Sequence, residues 1–277
     1  MKKVAYIFLL VASPLCIFSC EQANQQDVLP KPPIDEAVQA SVFETIIDAS
    51  SFSNYTVFES QWNYLYPWGS DHNGSARMYG STTDHNHISL SNSELTLTAS
   101  KISWNEGNSS THNVPIHYHS GAIHAKHQIL INDQFPNYEV RGTFQAPSTT
   151  GTWPAFWLTA VNSWPPESDI LEFKGNNENW FNTFRTSSDV STTRVAVSSP
   201  GSWHIYKAWI TKVNATEVDI HYYIDGVWKG VHRGNFVGKP MWIIINLQME
   251  GSSGSPGPTT NTIYKAKDIY IGRSRAY

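Results

Sequence analysis

Beyond about residue 40, apolar positions fall in short runs rich in Val, Ile, Thr, Tyr and Trp, separated by clusters of Gly, Asn, Ser and Pro. That spacing predicts an all-β sandwich or jelly roll. Residues 88–99 (ISLSNSELTLTA), 137–145 (NYEVRGTFQ) and 217–224 (EVDIHYYI) alternate apolar and polar side chains, as half-buried strands do; the first also contains a turn and predicts a hairpin. Asp225-Gly226, set between β-formers, predicts a second hairpin. Residues 241–249 (MWIIINLQM) are almost continuously apolar and suit a central strand buried on both faces, and residues 266–273 (AKDIYIGR) alternate again. No helical period of useful length and no repeat follow the N-terminal apolar run.

The first residues stand outside this pattern. Lys2 and Lys3 precede an apolar run from Val4 to Phe18 that ends at Ser19 and Cys20. It is too short for a permanent span and reads as an export signal, residues 1–19. Ser19 before Cys20, with Ile17 upstream, resembles a bacterial lipobox, so lipidation is expected at Cys20; Phe18 is bulky for that site, and ordinary cleavage stays open. Residues 20–40 are polar and Pro-containing, a tether that leaves 41–277 as one catalytic or binding domain. The expected location is an exported lipoprotein of the outer membrane, on its periplasmic face or the cell surface.

Composition narrows the function. Both cysteines, Cys16 and Cys20, lie in the leader, so the exported domain is expected to rely on a large core rather than disulfides. A net charge of −4 with mixed signs argues against a nucleic-acid partner. Eleven Trp and 13 Tyr exceed the needs of such a core and suit stacking on sugar faces.

The chemistry concentrates in Glu167-Ser168-Asp169-Ile170-Leu171-Glu172, three acids in a strand-like run. On a regular strand Glu167 and Asp169 share a face and Glu172 takes the other. A β-bulge near Ile170-Leu171 restores Glu172 to the acidic face. Carboxyls about 5 to 5.5 Å apart allow one to attack an anomeric carbon while the other protonates the leaving oxygen, with retention of configuration. The bland reading is three acids on a solvated strand, or a calcium site, although calcium prefers a loop with mixed oxygen ligands.

With Gly151-Thr152-Trp153-Pro154-Ala155-Phe156-Trp157-Leu158 and Trp164-Pro165 before it, Glu167-x-Asp169-Ile170-x-Glu172 resembles glycoside hydrolase family 16, in the bulged form of its laminarinase and agarase branches. The resemblance runs over about residues 80–277 and includes Ser120-Gly121, Trp203-His204-x-Tyr206-x-x-Trp209, Asp225-Gly226 and Asn246-Leu247. It implies a concanavalin A-like jelly roll with an open substrate cleft. It makes Glu167 the nucleophile, Asp169 its electrostatic helper and Glu172 the general acid/base, with Trp153, Trp157 and Trp164 along the cleft. Alternation puts Trp153 and Trp157 on one face, but either face could be core, so packing competes with stacking for each.

Two departures bear on substrate. Where laminarinases show a Gly-Thr-x-His-like strand, this chain has Asn182-Thr183-Phe184-Arg185; Arg185 would pair either with an acidic sugar or with Glu172 or a surface acid. Gln248-Met249-Glu250-Gly251 replaces the family's Gly-Gly, marking Gln248 as an altered subsite wall.

His112, His117, His119, His124 and His127 form a dense run, which cleft-edge hydrogen bonding or surface placement explains better than a metal. The aromatic stretch 64–73 is expected to form either a lip over the cleft or a packed loop. The reading is a retaining, endo-acting hydrolase of a β-linked polysaccharide, β-glucan or β-galactan, expected to be monomeric and to need no cofactor or catalytic metal; a structural calcium is left open. The rivals are a polysaccharide lyase acting on an acidic glycan, with the His run and Arg185 as its parts, and a non-catalytic carbohydrate-binding lipoprotein.

Overall fold

A computed structural model describes residues 43–276. The export signal and the whole tether, Cys20 included, lie outside the described residues. The chain runs through β1 (Phe43–Ile47), helix α1 (Tyr55–Gln61), β2 (Trp62–Tyr64), β3 (Ala76–Met78), β4 (Ile88–Ser91), β5 (Glu94–Lys101), β6 (Tyr118–Ser120) and β7 (Ala122–Ala125). Then come β8 (Asn137–Gln145), β9 (Thr152–Ala160), β10 (Glu167–Glu172), β11 (Glu178–Thr186) and β12 (Asp189–Ala196). It ends with β13 (His204–Lys212), β14 (Val218–Ile224), β15 (Val227–Gly234), β16 (Met241–Met249) and β17 (Thr262–Ser274).

These strands make two sheets. One holds ten strands in the order β15-β14-β13-β8-β17-β5-β6-β3, with β1 added on β17 and β4 on β5; the other holds seven in the order β12-β11-β10-β9-β16-β7-β2. Large buried rings fill the space between them, including Phe144, Phe156, Phe173, Tyr206, Phe181 and Tyr222. The alternating runs become strands because each has one face for that core and one for water. The β4–β5 turn has positive φ at Asn92 and Ser93, and the β14–β15 turn at Asp225 (52°) and Gly226 (76°), the backbone a tight hairpin with right-handed strand twist requires.

The seven-stranded sheet carries the site. β9 pairs with β16 so that Trp153, Ala155 and Trp157 lie opposite Gln248, Asn246 and Ile244, while Pro154, Phe156 and Leu158 lie opposite Leu247, Ile245 and Ile243. The second set packs into the core and the first floors a cleft. β16 is nearly all apolar, and its two polar side chains, Asn246 and Gln248, lie on the cleft face opposite Ala155 and Trp153. One element departs from the sequence expectation. α1, seven residues capped by the Asn54 side chain accepting from Val57 N–H at 3.0 Å, is too short to reveal a helical period.

Candidate active site

The cleft, about 680 Å³, is lined among others by Trp153, Trp157, Trp164, Glu167, Asp169, Glu172, Lys174 and Phe184. Its centre is β10. Glu167 lies opposite Thr159 of β9, Asp169 opposite Trp157 and Glu172 opposite Ala155, with a register shift between Asp169 and Leu171. Ile170 is the extra residue. Since Thr159, Trp157 and Ala155 are two apart on one face of β9, the shift puts all three acids on that face, as the six-residue spacing predicts. Ser168 points the other way, its Oγ 2.6 Å from the Tyr222 hydroxyl of the opposite sheet, which fixes β10 to the sandwich from behind.

Glu167 and Glu172 have donors of their own, and Asp169 shares one with Glu172. Trp164 Nε1 donates to Glu167 Oε2 at 2.9 Å. Trp153 Nε1 donates to Glu172 Oε1 at 2.7 Å, and Lys174 Nζ lies 3.1 Å from Glu172 Oε2. Asn182 Nδ2 bridges the pair, donating to Asp169 Oδ2 at 2.9 Å and Glu172 Oε2 at 2.8 Å, while its Oδ1 accepts from Thr192 Oγ1 at 2.8 Å.

Burial dominates the acidity of all three. It pushes Glu167 up to about 7, opposed by the Trp164 N–H and reinforced by the charge of Glu172. Asp169 rises well above the usual carboxylate range, through burial and then through Glu172 and Glu167. Glu172 is also raised by burial, with Lys174, Trp153 and Asn182 pulling the other way. A set of buried acids that cannot all ionise together can hold a proton for a leaving group and keep a nucleophile ready.

The other predicted residues divide. Trp164 is 55% exposed, its ring 5.7 Å from that of Phe184, and offers an open face to a sugar. Trp153 and Trp157 are buried. Trp157 donates Nε1–H to Asn246 Oδ1 at 2.7 Å, and the His72 imidazole stacks on it at 5.7 Å, so Trp157 is a packed residue of the cleft floor with one ring face taken by His72. Gln248 lines the cleft, but its Oε1 accepts from Ala76 N–H at 2.7 Å and its Nε2 donates to Ala76 O at 3.1 Å, tying β3 to β16. It shapes the wall and has its amide spent on backbone.

Arg185 does not reach the cleft. Asn182 and Phe184 face it, and Arg185 turns aside to a bidentate pair with Asp189, at 2.7 and 2.5 Å, and to Arg233 O at 2.7 Å. Pairing with a surface acid thus replaces pairing with sugar. Three of the histidines are also taken: His117 by Glu250, His119 by Glu106, and His124 by Leu65 O and Asn63. With Arg185 turned away, the lyase reading loses its cation. Among the described residues no group of three or more His, Cys, Asp or Glu is placed to hold a metal ion.

Asn182, Lys174, His72 and Trp68 belong to the site and were not singled out from the sequence as such. A polar residue amid the apolar positions of β11 was the available signal for Asn182. Trp68 and His72, from the 64–73 stretch, line one end of the cleft, with Trp68 stacked on Tyr66 at 5.2 Å.

Comparison with known proteins agrees with this geometry. Residues 75–265 match the family described as glycosyl hydrolases family 16. A galactan endo-beta-1,3-galactanase of Flammulina velutipes is 48% identical over 234 residues, spanning 83% of this chain and 90% of that protein. Endo-1,3-1,4-beta-glycanase ExsH of Rhizobium meliloti is 28% identical over 72% of this chain, which spans 39% of that protein. The endo-1,3-beta-glucanase of Streptomyces sioyaensis superposes with a TM-score of 0.65 at 19% identity, over 89% of this chain and 99% of its own, a likeness of fold. The chain belongs to glycosyl hydrolases family 16 and is an endo-acting, retaining glycoside hydrolase of β-linked polysaccharide.

Proposed function

We propose that the enzyme is an endo-β-1,3-galactanase in which Glu167 is the nucleophile, Asp169 its electrostatic helper and Glu172 the general acid/base. The observation that carries the catalytic reading is the bulge-aligned acid face with Asn182 bridging Asp169 and Glu172. Glu167 attacks the anomeric carbon as the glycosidic C–O bond breaks, and the Glu172 proton passes to the leaving oxygen. Water then attacks the same carbon, gives a proton to Glu172 and releases Glu167, so configuration is retained. Asp169, tied to Glu172 through Asn182, is pushed up by burial and by both neighbouring carboxyls, and in its neutral form it adds no further charge beside Glu167.

Galactan is favoured over glucan by the 48% identical relative named for it and by the replaced Gly-Gly at Gln248. Purified protein should release reducing ends from β-1,3-galactan, without an ultraviolet-absorbing unsaturated product, and act far more slowly on laminarin, mixed-linkage glucan and agarose. Faster cleavage of laminarin would overturn the galactan reading and leave the chemistry standing.

The reading extends to location: an exported monomer held at the outer membrane by lipid on Cys20. Lys2-Lys3, the apolar run and Ser19-Cys20 support it. Palmitate labelling that survives Cys20→Ser would refute the anchor.

A further inference from the structure

Lys174 lies two residues past the acid strand and outside the acid motif. Its Nζ stands 3.1 Å from Glu172 Oε2, 4.7 Å from the Trp180 ring centroid and 5.9 Å from that of Trp153. The side chain is 20% exposed, so the ammonium is mostly withdrawn from water between two indoles. Trp153 also holds the other oxygen of the same carboxyl. Glu172 is therefore gripped on both oxygens, Oε1 by Trp153 and Oε2 by Asn182 and Lys174.

We infer that Lys174 is a positioning residue for Glu172: clamped between Trp153 and Trp180, it fixes the carboxyl's orientation and supplies the counter-charge Glu172 needs whenever it acts as the base. The inference rests on Glu172 being the acid/base. The groups facing Glu172 are Trp153 from β9, Glu167 and Asp169 on β10, Asn182 from β11 and Lys174 from the turn after β10. Two are carboxyls, two are neutral donors, and Lys174 is the cation in the set. Without it, an ionised Glu172 would sit buried beside two other acids with neutral hydrogen bonds alone, an arrangement that burial strongly disfavours. That ionised state has to exist between the two half-reactions, when Glu172 waits to take a proton from water.

The same cation has a cost during the first half-reaction, when Glu172 must be protonated, because it draws the acidity of Glu172 back down against burial. The balance is visible in a pH profile. In Lys174→Met the apolar stem still fills the space between the indoles and the charge is gone. Glu172 then holds its proton to higher pH, and the basic limb of kcat/KM moves up by about one unit. The acidic limb moves less, since Lys174 is the smallest of the influences on Glu167. Turnover of Lys174→Met also falls as the base form is lost, by roughly tenfold. Lys174→Arg keeps the cation and restores the wild-type basic limb.

The experiment measures kcat/KM against pH for wild type, Lys174→Met and Lys174→Arg on the polysaccharide the wild type cleaves fastest, with Glu172→Ala alongside. Loss of polysaccharide cleavage in Glu172→Ala, with azide accelerating the variant's turnover of an aryl β-glycoside, whose leaving group needs no proton, to a glycosyl azide of retained configuration, establishes the acid/base reading; near-normal polysaccharide cleavage there overturns that reading and the inference together. With Glu172→Ala behaving as stated, a basic limb in Lys174→Met that coincides with wild type overturns the inference alone. A purely structural Lys174 would lower the melting temperature and leave the limbs in place.

Discussion

Strand β10 and the segment from His112 to His127 both crowd titratable side chains into a short stretch, and they deploy them in opposite ways. β10 turns Glu167, Asp169 and Glu172 onto one face, where one amide bridges two of them and a single ammonium partly offsets three charges. The histidines disperse. His117 meets Glu250 at 2.6 Å, His119 meets Glu106, His124 spans Leu65 O at 2.8 Å and Asn63 at 3.1 Å, and His112 stands edge-on to His72 at the cleft. Each of the paired rings is satisfied by its own neighbour, while the three acids are left competing for too few donors. Crowding along the sequence therefore does not make a site; convergence with incomplete compensation does.

That contrast is open to test, beginning where the effect is largest. Glu167→Ala and Glu172→Ala should each lower polysaccharide cleavage by about 10⁴-fold or more while leaving the far-ultraviolet circular dichroism unchanged. Activity within tenfold of wild type in either would place the chemistry elsewhere. Asn182→Ala comes next. It removes the one donor shared by Asp169 and Glu172 and leaves the three carboxyls themselves in place, so kcat should fall about 30- to 100-fold with KM little changed. A rise in KM alone would make Asn182 a sugar-binding residue instead.

An incompletely compensated acid also costs stability, and the sign can be worked out. Glu167 is pushed from its ordinary 4.5 up to about 7, so the folded state binds its proton more tightly than the unfolded chain does. Its contribution is favourable below about pH 4.5 and is lost as pH rises through about 7. Glu167→Gln should match wild type in denaturant unfolding at pH 4 and exceed it at pH 8 by on the order of 1–3 kcal/mol. Parallel stabilities at the two pH values would mean the charge of Glu167 is fully accommodated in the folded cleft.

The fold was legible because alternation is a local property: each named run became a strand, and the Asp225-Gly226 turn fell where its backbone demands. The bulge was legible too, since the step of five positions from Glu167 to Glu172 leaves the wrong parity on a regular strand. Parity could have settled Arg185 as well. Three residues past Asn182, it falls on the face away from the cleft, where Asp189 of the next strand takes it. Trp157 was harder, because its cover is His72, 85 residues earlier in the sequence. The same distance hid the partners of the histidines: Glu250 lies 133 residues from His117, and no spacing rule joins them. Lys174 was within reach of the acid motif but reads as an ordinary turn residue until Trp153 and Trp180 are seen on either side.

The smallest expected effect is the one that completes the comparison. His117→Gln removes a ring whose side chain is 47% exposed and whose partner, Glu250, also accepts from Gly257 N–H at 2.9 Å and Ser255 Oγ at 3.1 Å. Those two donors remain, so Glu250 stays below its ordinary range even though burial alone would raise it. The His117 side of the pair faces water, where one such contact contributes about 0–1 kcal/mol, and glutamine can still donate a hydrogen bond to the buried Glu250. The variant should keep kcat/KM within about twofold of wild type and melt within a few degrees of it. Neither value should depend on pH across the working range more than in the wild type. A tenfold loss of activity would show that the loop held by Glu250 transmits to Trp153 beneath Gly251, and the histidine run would then rank with β10 rather than against it.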